Sequence, residues 1–374
     1  MSRQDQTVTV PRRGRVVKFL AALVSLSVVC LSLYASQKAP LAVKESPQPA
    51  QAKAAEQMGD DKALVQTTKA VAAAKAFLDT LDAKQKAKAV YDFNSAKKSG
   101  WSNLPITNVP RNGVRMGDLT QAQRDAAFGV LKASLSKQGY QKIIDIMNAD
   151  QQLATGKGGK GGGKNSFGND NYFLALFGEP SVTKPWMVQF GGHHLGLNVT
   201  VASKTFVLTP THTGTQPQTF TRDGKAVRPL GGENDTAFKL VNSLDEKQKA
   251  QAMLKEKVKE MILGPGKDGK TIKPQGVKGS ELNANQQTML LDVIAEWTKI
   301  LPDDDAAARM AELKGKLPET YFAWSGPTTN GSAVYFRVQG PSVVIEYAAQ
   351  GTADHIHTVI RDPGNDYGQK LLKN

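Results

Sequence analysis

Four of the chain's five histidines fall in two tight pairs. His193 and His194 stand in Gly-Gly-His-His-Leu-Gly-Leu-Asn, and His355 and His357 in Asp-His-Ile-His-Thr-Val-Ile-Arg-Asp-Pro. Imidazole is the commonest protein metal ligand and the side chain that titrates nearest neutrality. Two pairs in a histidine-poor chain therefore predict one assembled site, holding a divalent transition metal (zinc, copper or iron) through His193, His194, His355 and His357. Alternate residues of an extended segment share a face, which puts His355 and His357 about 7 Å apart along the strand and lets them converge on one ion. The same period places His194 with Gly196 and Asn198, and His193 with Leu195 and Leu197. Glu346 and Asp354 are the candidate catalytic carboxylates, either serving as the base that accepts a proton from water. His212, alone in Pro-Thr-His-Thr-Gly, reads as a hydrogen-bonded structural group. The expectation requires the two pairs to lie within about 12 Å of each other, given metal–nitrogen bonds of about 2 Å.

Metal-assisted hydrolysis is the leading reaction class for such a site. A metal-dependent oxidoreductase and a non-enzymatic metal- or ligand-binding protein remain as alternatives, because ligand type alone does not choose the metal or its chemistry. The sequence holds neither a Gly-x-Ser-x-Gly nucleophile turn nor a His-Glu-x-x-His helix. The run from Gly158 falls short of a phosphate-binding loop, since Asn165 stands where a Ser or Thr would hold magnesium. The formal net charge is +14, but acids are interspersed with the bases and no aromatic-interleaved basic stripe appears. The expected partner is a small-molecule or cell-envelope substrate and not a nucleic acid.

At the N-terminus Arg3, Arg12, Arg13, Arg15 and Lys18 precede an uncharged apolar run from Phe19 to Tyr34. This is the pattern of an export signal or an N-terminal anchor over residues 1–35, and it predicts a periplasmic or extracellular protein, tethered to the membrane if the segment is not cleaved. The single cysteine, Cys30, lies in that segment, so the remainder has neither disulfide nor thiolate chemistry. Residues 36–62 are rich in Ala, Gln, Lys and Pro and read as a flexible linker.

The elements that must position the histidines carry a repeat. Leu81-Asp82-Ala-Lys-Gln85, Leu119-Thr120-Gln-Ala-Gln123, Leu244-Asp245-Glu-Lys-Gln248 and Leu282-Asn283-Ala-Asn-Gln286 share one pattern, in which the second residue caps a helix and the Gln reaches back to it. Both pairs of signatures are related by an offset of 163 residues. Tyr172-Phe173 before Gly178-Glu-Pro180 is echoed by Tyr321-Phe322 before Gly326-Pro327, and alternating apolar stretches follow in each half. The reading is an α+β fold over 63–374 with two pseudo-duplicated halves (about 77–210 and 240–374), each made of helices followed by a three-stranded antiparallel unit.

Several spaced motifs together resemble the bacterial family catalogued as domain of unknown function 3500. They are Gly192-His193-His194-Leu195-Gly196-Leu197-Asn198, Tyr321-Phe322-Ala323-Trp324-Ser325-Gly326, Gly340-Pro341, Ile345-Glu346-Tyr347, His355-Ile356-His357-Thr358-Val359 with Arg361-Asp362-Pro363, and Asp366-Tyr367-Gly368. The resemblance runs from about Ala73 to the C-terminus. It implies one folded unit and no particular reaction, and the lysine-glycine run 156–164 looks like an insertion relative to it.

Overall fold

The computed structural model describes residues 49–156 and 166–372. The export or anchor segment 1–35 and most of the lysine-glycine run lie outside the described residues. Helix α1 (Pro49–Asp79) already occupies residues 49–62, which the sequence reading assigned to a flexible linker. Ala, Gln, Lys, Glu and Met dominate there, and these are strong helix formers as well as solvated ones.

The four Leu-x-x-x-Gln signatures each start a helix: α2 (Ala83–Ala89), α3 (Gln121–Ser134), α6 (Glu246–Ala252) and α7 (Ala284–Thr298). In every case the Asp, Thr or Asn side chain accepts from the third backbone N–H while the Gln side chain accepts from the cap's own N–H. Such a cap stabilises a helix by about 1 kcal/mol. The same glutamines tie neighbouring helices together. Gln248 Nε2 donates to Gln286 Oε1 at 2.9 Å and Gln286 Nε2 returns the bond at 2.8 Å, while Gln123 Nε2 donates to Gln85 Oε1 at 2.9 Å.

Gly113 and Gly276 occupy matching turns with φ of +102° and +111°. A Cβ on either would fall 2.2 Å from Leu174 O or 2.1 Å from Phe322 O, so neither position admits a side chain. The short strands that follow, β2 (Val114–Arg115) and β10 (Val277–Lys278), pair antiparallel with β3 (Phe173–Phe177) and β11 (Tyr321–Ser325). Helix starts, amide pairs and glycine turns thus recur at the 163-residue offset.

The class is α+β, as expected, but the strands are not two separate three-stranded units. Among the described residues they form one mixed twelve-stranded sheet. The first half supplies β1 (Val90–Tyr91), β2, β3, β4 (Trp186–Gly191), β5 (Leu195–Ala202), β6 (Thr205–Val207) and β7 (Thr211–Thr215). The second supplies β10, β11, β12 (Tyr335–Gly340), β13 (Val343–Ala349) and β14 (Ile356–Arg361). The main path runs β1-β3-β4-β5-β7-β14-β13-β12-β11-β10, with β8 (Phe220–Arg222) and β9 (Lys225–Val227) forming a hairpin apart.

Each half therefore contributes four principal antiparallel strands, and the halves fuse where β7 pairs with β14, Thr213 opposite Thr358. The two additional strands on the first-half side had no alternating pattern to announce them. Phe-Leu-Ala-Leu-Phe of β3 is apolar throughout, and Thr-His-Thr-Gly-Thr of β7 has no aliphatic or aromatic hydrocarbon side chain yet is wholly buried.

Burial on both faces explains this. One face packs Leu195, Leu197, Phe336, Ile356 and Ile360 against helices that include α3, α4 (Lys137–Thr155), α5 (Gly231–Ser243), α7 and α8 (Asp303–Gly315). The other face carries Val359 and Tyr335, packed against Trp101 and Met261 from irregular segments. No helix among the described residues is long and apolar enough to cross a membrane.

Candidate metal centre

The turn between β4 and β5 is made by glycine. A Cβ at Gly191 would sit 2.5 Å from Leu195 O, so only glycine lets the chain reverse tightly enough to swing His193 and His194 back over the strand ends. From the other half, β14 carries His357, and His355 stands immediately before it. The β7–β14 pairing sets Gly214 opposite His357 and His212 opposite Val359. All five histidines are thereby gathered at the seam between the halves. Ring centroids are 5.1 Å apart for His194–His355, 5.5 Å for His194–His357 and 5.5 Å for His212–His357.

Gly214 is the floor beneath them. A Cβ there would meet His194 Cδ2 at 2.9 Å and His357 Cδ2 at 3.3 Å. His194 and His212 are fully buried and His193 and His357 nearly so. His355 alone is partly exposed, and it marks the opening of the cluster.

The hydrogen bonds assign the tautomers. His194 Nδ1 donates to Asp150 Oδ1 at 2.5 Å, and Asp150 Oδ2 accepts from the Tyr172 hydroxyl at 2.7 Å and from His194 N at 3.3 Å. His357 Nδ1 stands 3.2 Å from Glu260 Oε2. Asn103 Nδ2 lies 3.2 Å from the same nitrogen, but the carboxylate is the stronger partner, so Nδ1 carries its proton toward Glu260. With Nδ1 protonated, the Nε2 atoms of His194 and His357 are bare lone pairs.

His355 Nε2 stands 3.0 Å from each of them. A single imidazole N–H cannot satisfy two acceptors well, and the grouped nitrogens could hold a metal ion. An added proton is disfavoured. Burial holds His194 well below its ordinary pKa, with His193 next to it adding to the effect. Burial, with His357 and His193 alongside, pushes His355 down to about 4. Burial alone would raise the Asp150 carboxyl, but the adjacent imidazoles of His194 and His193 hold it well below the usual carboxylate range.

Lone pairs that resist protonation, backed by carboxylates on the far side of the ring, are what a transition metal needs. His193, His194 and His355 each offer a ligand atom within 4.8 Å of the others, and His357 reaches the group through His355. Among the described residues two buried ring nitrogens, His193 Nδ1, 3.6 Å from Asp150 Oδ1, and His212 Nε2, have no hydrogen-bond partner.

The structure thus brings together His193, His194, His355 and His357, far inside the 12 Å limit. The two carboxylates singled out from the sequence are elsewhere engaged. Glu346, fully buried, accepts from Ile262 N at 2.9 Å, Leu263 N at 2.7 Å and the Tyr335 hydroxyl at 2.6 Å, and so holds an irregular segment onto β13. Asp354 is exposed and accepts from Gln218 N at 2.9 Å.

The acids that do touch imidazole are Asp150 and Glu260. Asp150 carried a legible signal, since Ile143, Ile146, Met147 and Asp150 follow helical spacing and place a carboxylate on the buried face of α4. Glu260 carried none. His212 also belongs to the cluster. Its Nδ1 donates to Thr358 O at 2.8 Å, and the His212-Thr213 dipeptide matches His357-Thr358, the two threonine hydroxyls meeting at 2.7 Å.

Beside the cluster, a groove of about 530 Å³ is lined by Trp101, Asn103, Glu260 and Lys267 among others. Glu260 stands on its lip, with 44% of its side chain exposed, which leaves the carboxylate reachable from solvent while it holds His357. Arg111 pins the segment that carries Asn103 to the histidine turn, donating to Ser102 O at 2.9 Å and Gly192 O at 2.8 Å.

Residues 64–369 match the model of a family described as protein of unknown function (DUF3500). No curated protein and no solved structure matches the chain.

Proposed function

The chain belongs to the DUF3500 family, whose description names no reaction, and we propose from the site itself that it is a metal-dependent hydrolase. The ion is a divalent transition metal, held by His193, His194 and His355 with His357 at hand to complete the set. One observation carries the reading: His355 Nε2 stands 3.0 Å from two imidazole nitrogens whose protons are committed to carboxylates on the opposite side. Zinc, copper and iron all suit imidazole ligands. The bound ion would supply Lewis acidity and acidify water near neutral pH.

The remaining work falls to the chain. Asp150 fixes the His194 ring and its tautomer, and Tyr172 and the His194 backbone fix Asp150 in turn. Glu260 faces both His357 and the groove, so it is the carboxylate placed to take a proton from water at the opening. Burial would raise it, but the hydrogen bonds from His357 Nδ1 and Met261 N outweigh burial and keep it below its ordinary range, hence ionised. The groove is where a small-molecule or cell-envelope substrate would lie. Export is part of the same proposal and rests on the basic and apolar run that ends at Tyr34.

A second reading, a metal-dependent oxidoreductase, is favoured by one feature: the buried Tyr172 phenol reaches His194 through a single carboxylate. The identity of the metal separates the two. Metal analysis of the protein purified without chelators is expected to give about one equivalent per chain, lost in the His355→Ala/His357→Ala variant. Zinc with Glu260-dependent ester, amide or phosphoester cleavage supports hydrolysis, whereas copper or iron with reversible redox spectra supports the alternative. Absence of metal after reconstitution with zinc, copper and iron overturns both.

A further inference from the structure

The irregular segment packed on the second face of the sheet displays Lys255, Lys257, Lys259, Lys267, Lys270 and Lys273, all exposed, against three acids, Glu256, Glu260 and Asp268. Two of those acids are engaged, Glu260 with His357 Nδ1 at 3.2 Å and Asp268 with Arg361 Nη1 at 2.8 Å. Among the described residues none of the six lysines forms an ion pair or a side-chain hydrogen bond. We propose that this basic segment binds an acidic polysaccharide, with the polymer lying across the mouth of the histidine cluster. As the identity of the substrate this rests on the hydrolase reading, whereas the binding itself needs no metal.

Two cavities meet at this segment. Beside the groove that Glu260 and Lys267 line, a second space of about 540 Å³ is lined by Lys255, Lys257, Lys259, Ser325 and Gly351 among others. Lys259 and Glu260 are consecutive, so the two spaces adjoin at one peptide unit. That unit abuts the histidines: Glu260 holds His357, the Lys259 carbonyl accepts from Gln350 Nε2 at 2.9 Å, and Gln350 N donates to His355 O at 2.7 Å. Each space alone is of ligand size, and the pair suits a polymer that continues past the reactive centre. The segment is also fixed from beneath. Glu346 accepts from Ile262 N and Leu263 N, and Arg361 donates to Leu263 O at 2.6 Å and to Gly264 O at 2.9 Å. Cations on a pinned backbone lose less freedom on binding than cations on a floating one.

The linings choose among polyanions. Their aromatic residues, Trp101 and Tyr335, are 3% and 1% exposed, so no ring is offered for a nucleobase to stack on. Strands β11, β12 and β13, which reach the second space, are paired on both sides and leave no edge for a peptide. What remains is lysine charge beside exposed main chain at Gly266, Gly326 and Gly351, which suits a polymer bearing both carboxylates and hydroxyls.

The test is titration of the full chain, metal-free and metal-loaded, with labelled oligogalacturonate, beside poly-L-glutamate and oligo(dT) of matched charge and neutral dextran. Oligogalacturonate is expected to bind with a Kd on the order of 10 μM at about 20 mM salt, about tenfold tighter than the other two anions, and dextran not to bind. Lys257→Gln/Lys259→Gln/Lys267→Gln is expected to weaken binding about tenfold while the melt and the metal content stay unchanged. Lys84→Gln/Lys86→Gln/Lys88→Gln makes the same change of charge on α2, outside both linings, and is expected to alter binding less than about twofold. Saturable binding by a chain that takes up no metal supports the basic segment and fails the hydrolase reading alone. Absence of saturable binding, equal loss in the two lysine triples, or equal affinity for poly-L-glutamate or oligo(dT) overturns the inference.

Discussion

Replacing Asp150 by Asn tests the logic of the histidine cluster without changing its size. The carboxylate is fully buried and receives three donors: His194 Nδ1–H, His194 N–H and the Tyr172 hydroxyl. An amide has one acceptor oxygen and two donor hydrogens, so it can satisfy only part of this set. If its oxygen faces His194 Nδ1, its NH2 group faces the His194 backbone N–H, leaving a buried donor unmet at a cost of about 1–3 kcal/mol. If its NH2 group faces Nδ1, the imidazole proton moves to Nε2 and covers the lone pair that would hold the metal. Loss of an outer carboxylate of this kind lowers metal affinity about 10–100-fold, equivalent to about 1.4–2.8 kcal/mol.

The expected outcome of Asp150→Asn is therefore a loss of roughly that size in metal affinity, in apo-protein stability, or shared between them. Chelator competition measures the first and thermal melting of the metal-free protein measures the second. At about 2–4 °C per kcal/mol, the stability branch is readable as a shift of several degrees. Metal affinity within about twofold of wild type together with an unchanged apo melt would refute the tautomer argument.

Three further outcomes follow from the same geometry. Gly214→Ala drives a methyl against His194, His357 and Ile356 O; it is expected to cost about 1–3 kcal/mol and to reduce bound metal, and a normal melt with full metal content would contradict the close packing. Glu346→Gln is expected to lower the melting temperature while leaving metal stoichiometry intact, because its three partners are structural; loss of metal without loss of stability would return it to the site. Asp305→Asn is expected to stabilise the protein by about 1–2 kcal/mol above pH 6 and not below pH 4, because burial raises that carboxyl. The sign follows because the folded carboxyl titrates near 6 and the unfolded one near 3.8, so the native state binds the extra proton and its stability falls as pH rises through that window. Melts of the two proteins at pH 4 and pH 7.5 check it, and a constant difference would contradict it.

The parts of the molecule legible in sequence are those set by near neighbours. Asp82, Thr120, Asp245 and Asn283 cap helices using residues three positions away, so the four starts could be read directly. The histidine pairs were legible because their type is rare and their spacing tight. β7 was not, since Thr-His-Thr-Gly-Thr gives no hydrophobic alternation and owes its burial to β5 on one side and β14 on the other. His212 was hidden with it. The carboxylates beside imidazole were hidden for a related reason: Glu346 and Asp354 are close to His355 in sequence, whereas the carboxylates that reach imidazole are 44 residues from His194 and 97 from His357. Glu346 shares the face of His357 across the β13–β14 register but is taken up by Ile262 N, Leu263 N and the Tyr335 hydroxyl, and Asp354 precedes β14 and is exposed.

The β7–β14 pairing has a consequence for how the cluster comes into being. His193, His194, His212 and Asp150 arrive from one side of that seam, and His355, His357 and Glu260 from the other. Neither set alone juxtaposes the three nitrogens around His355, so the centre behaves as a coincidence detector: it exists only when both parts of the sheet have docked. An ion bound there would act as a clasp across the seam, favouring the joined state over the parted one by mass action. Metal occupancy would then report on the integrity of the whole sheet, and chelation would loosen the molecule at its middle before its edges.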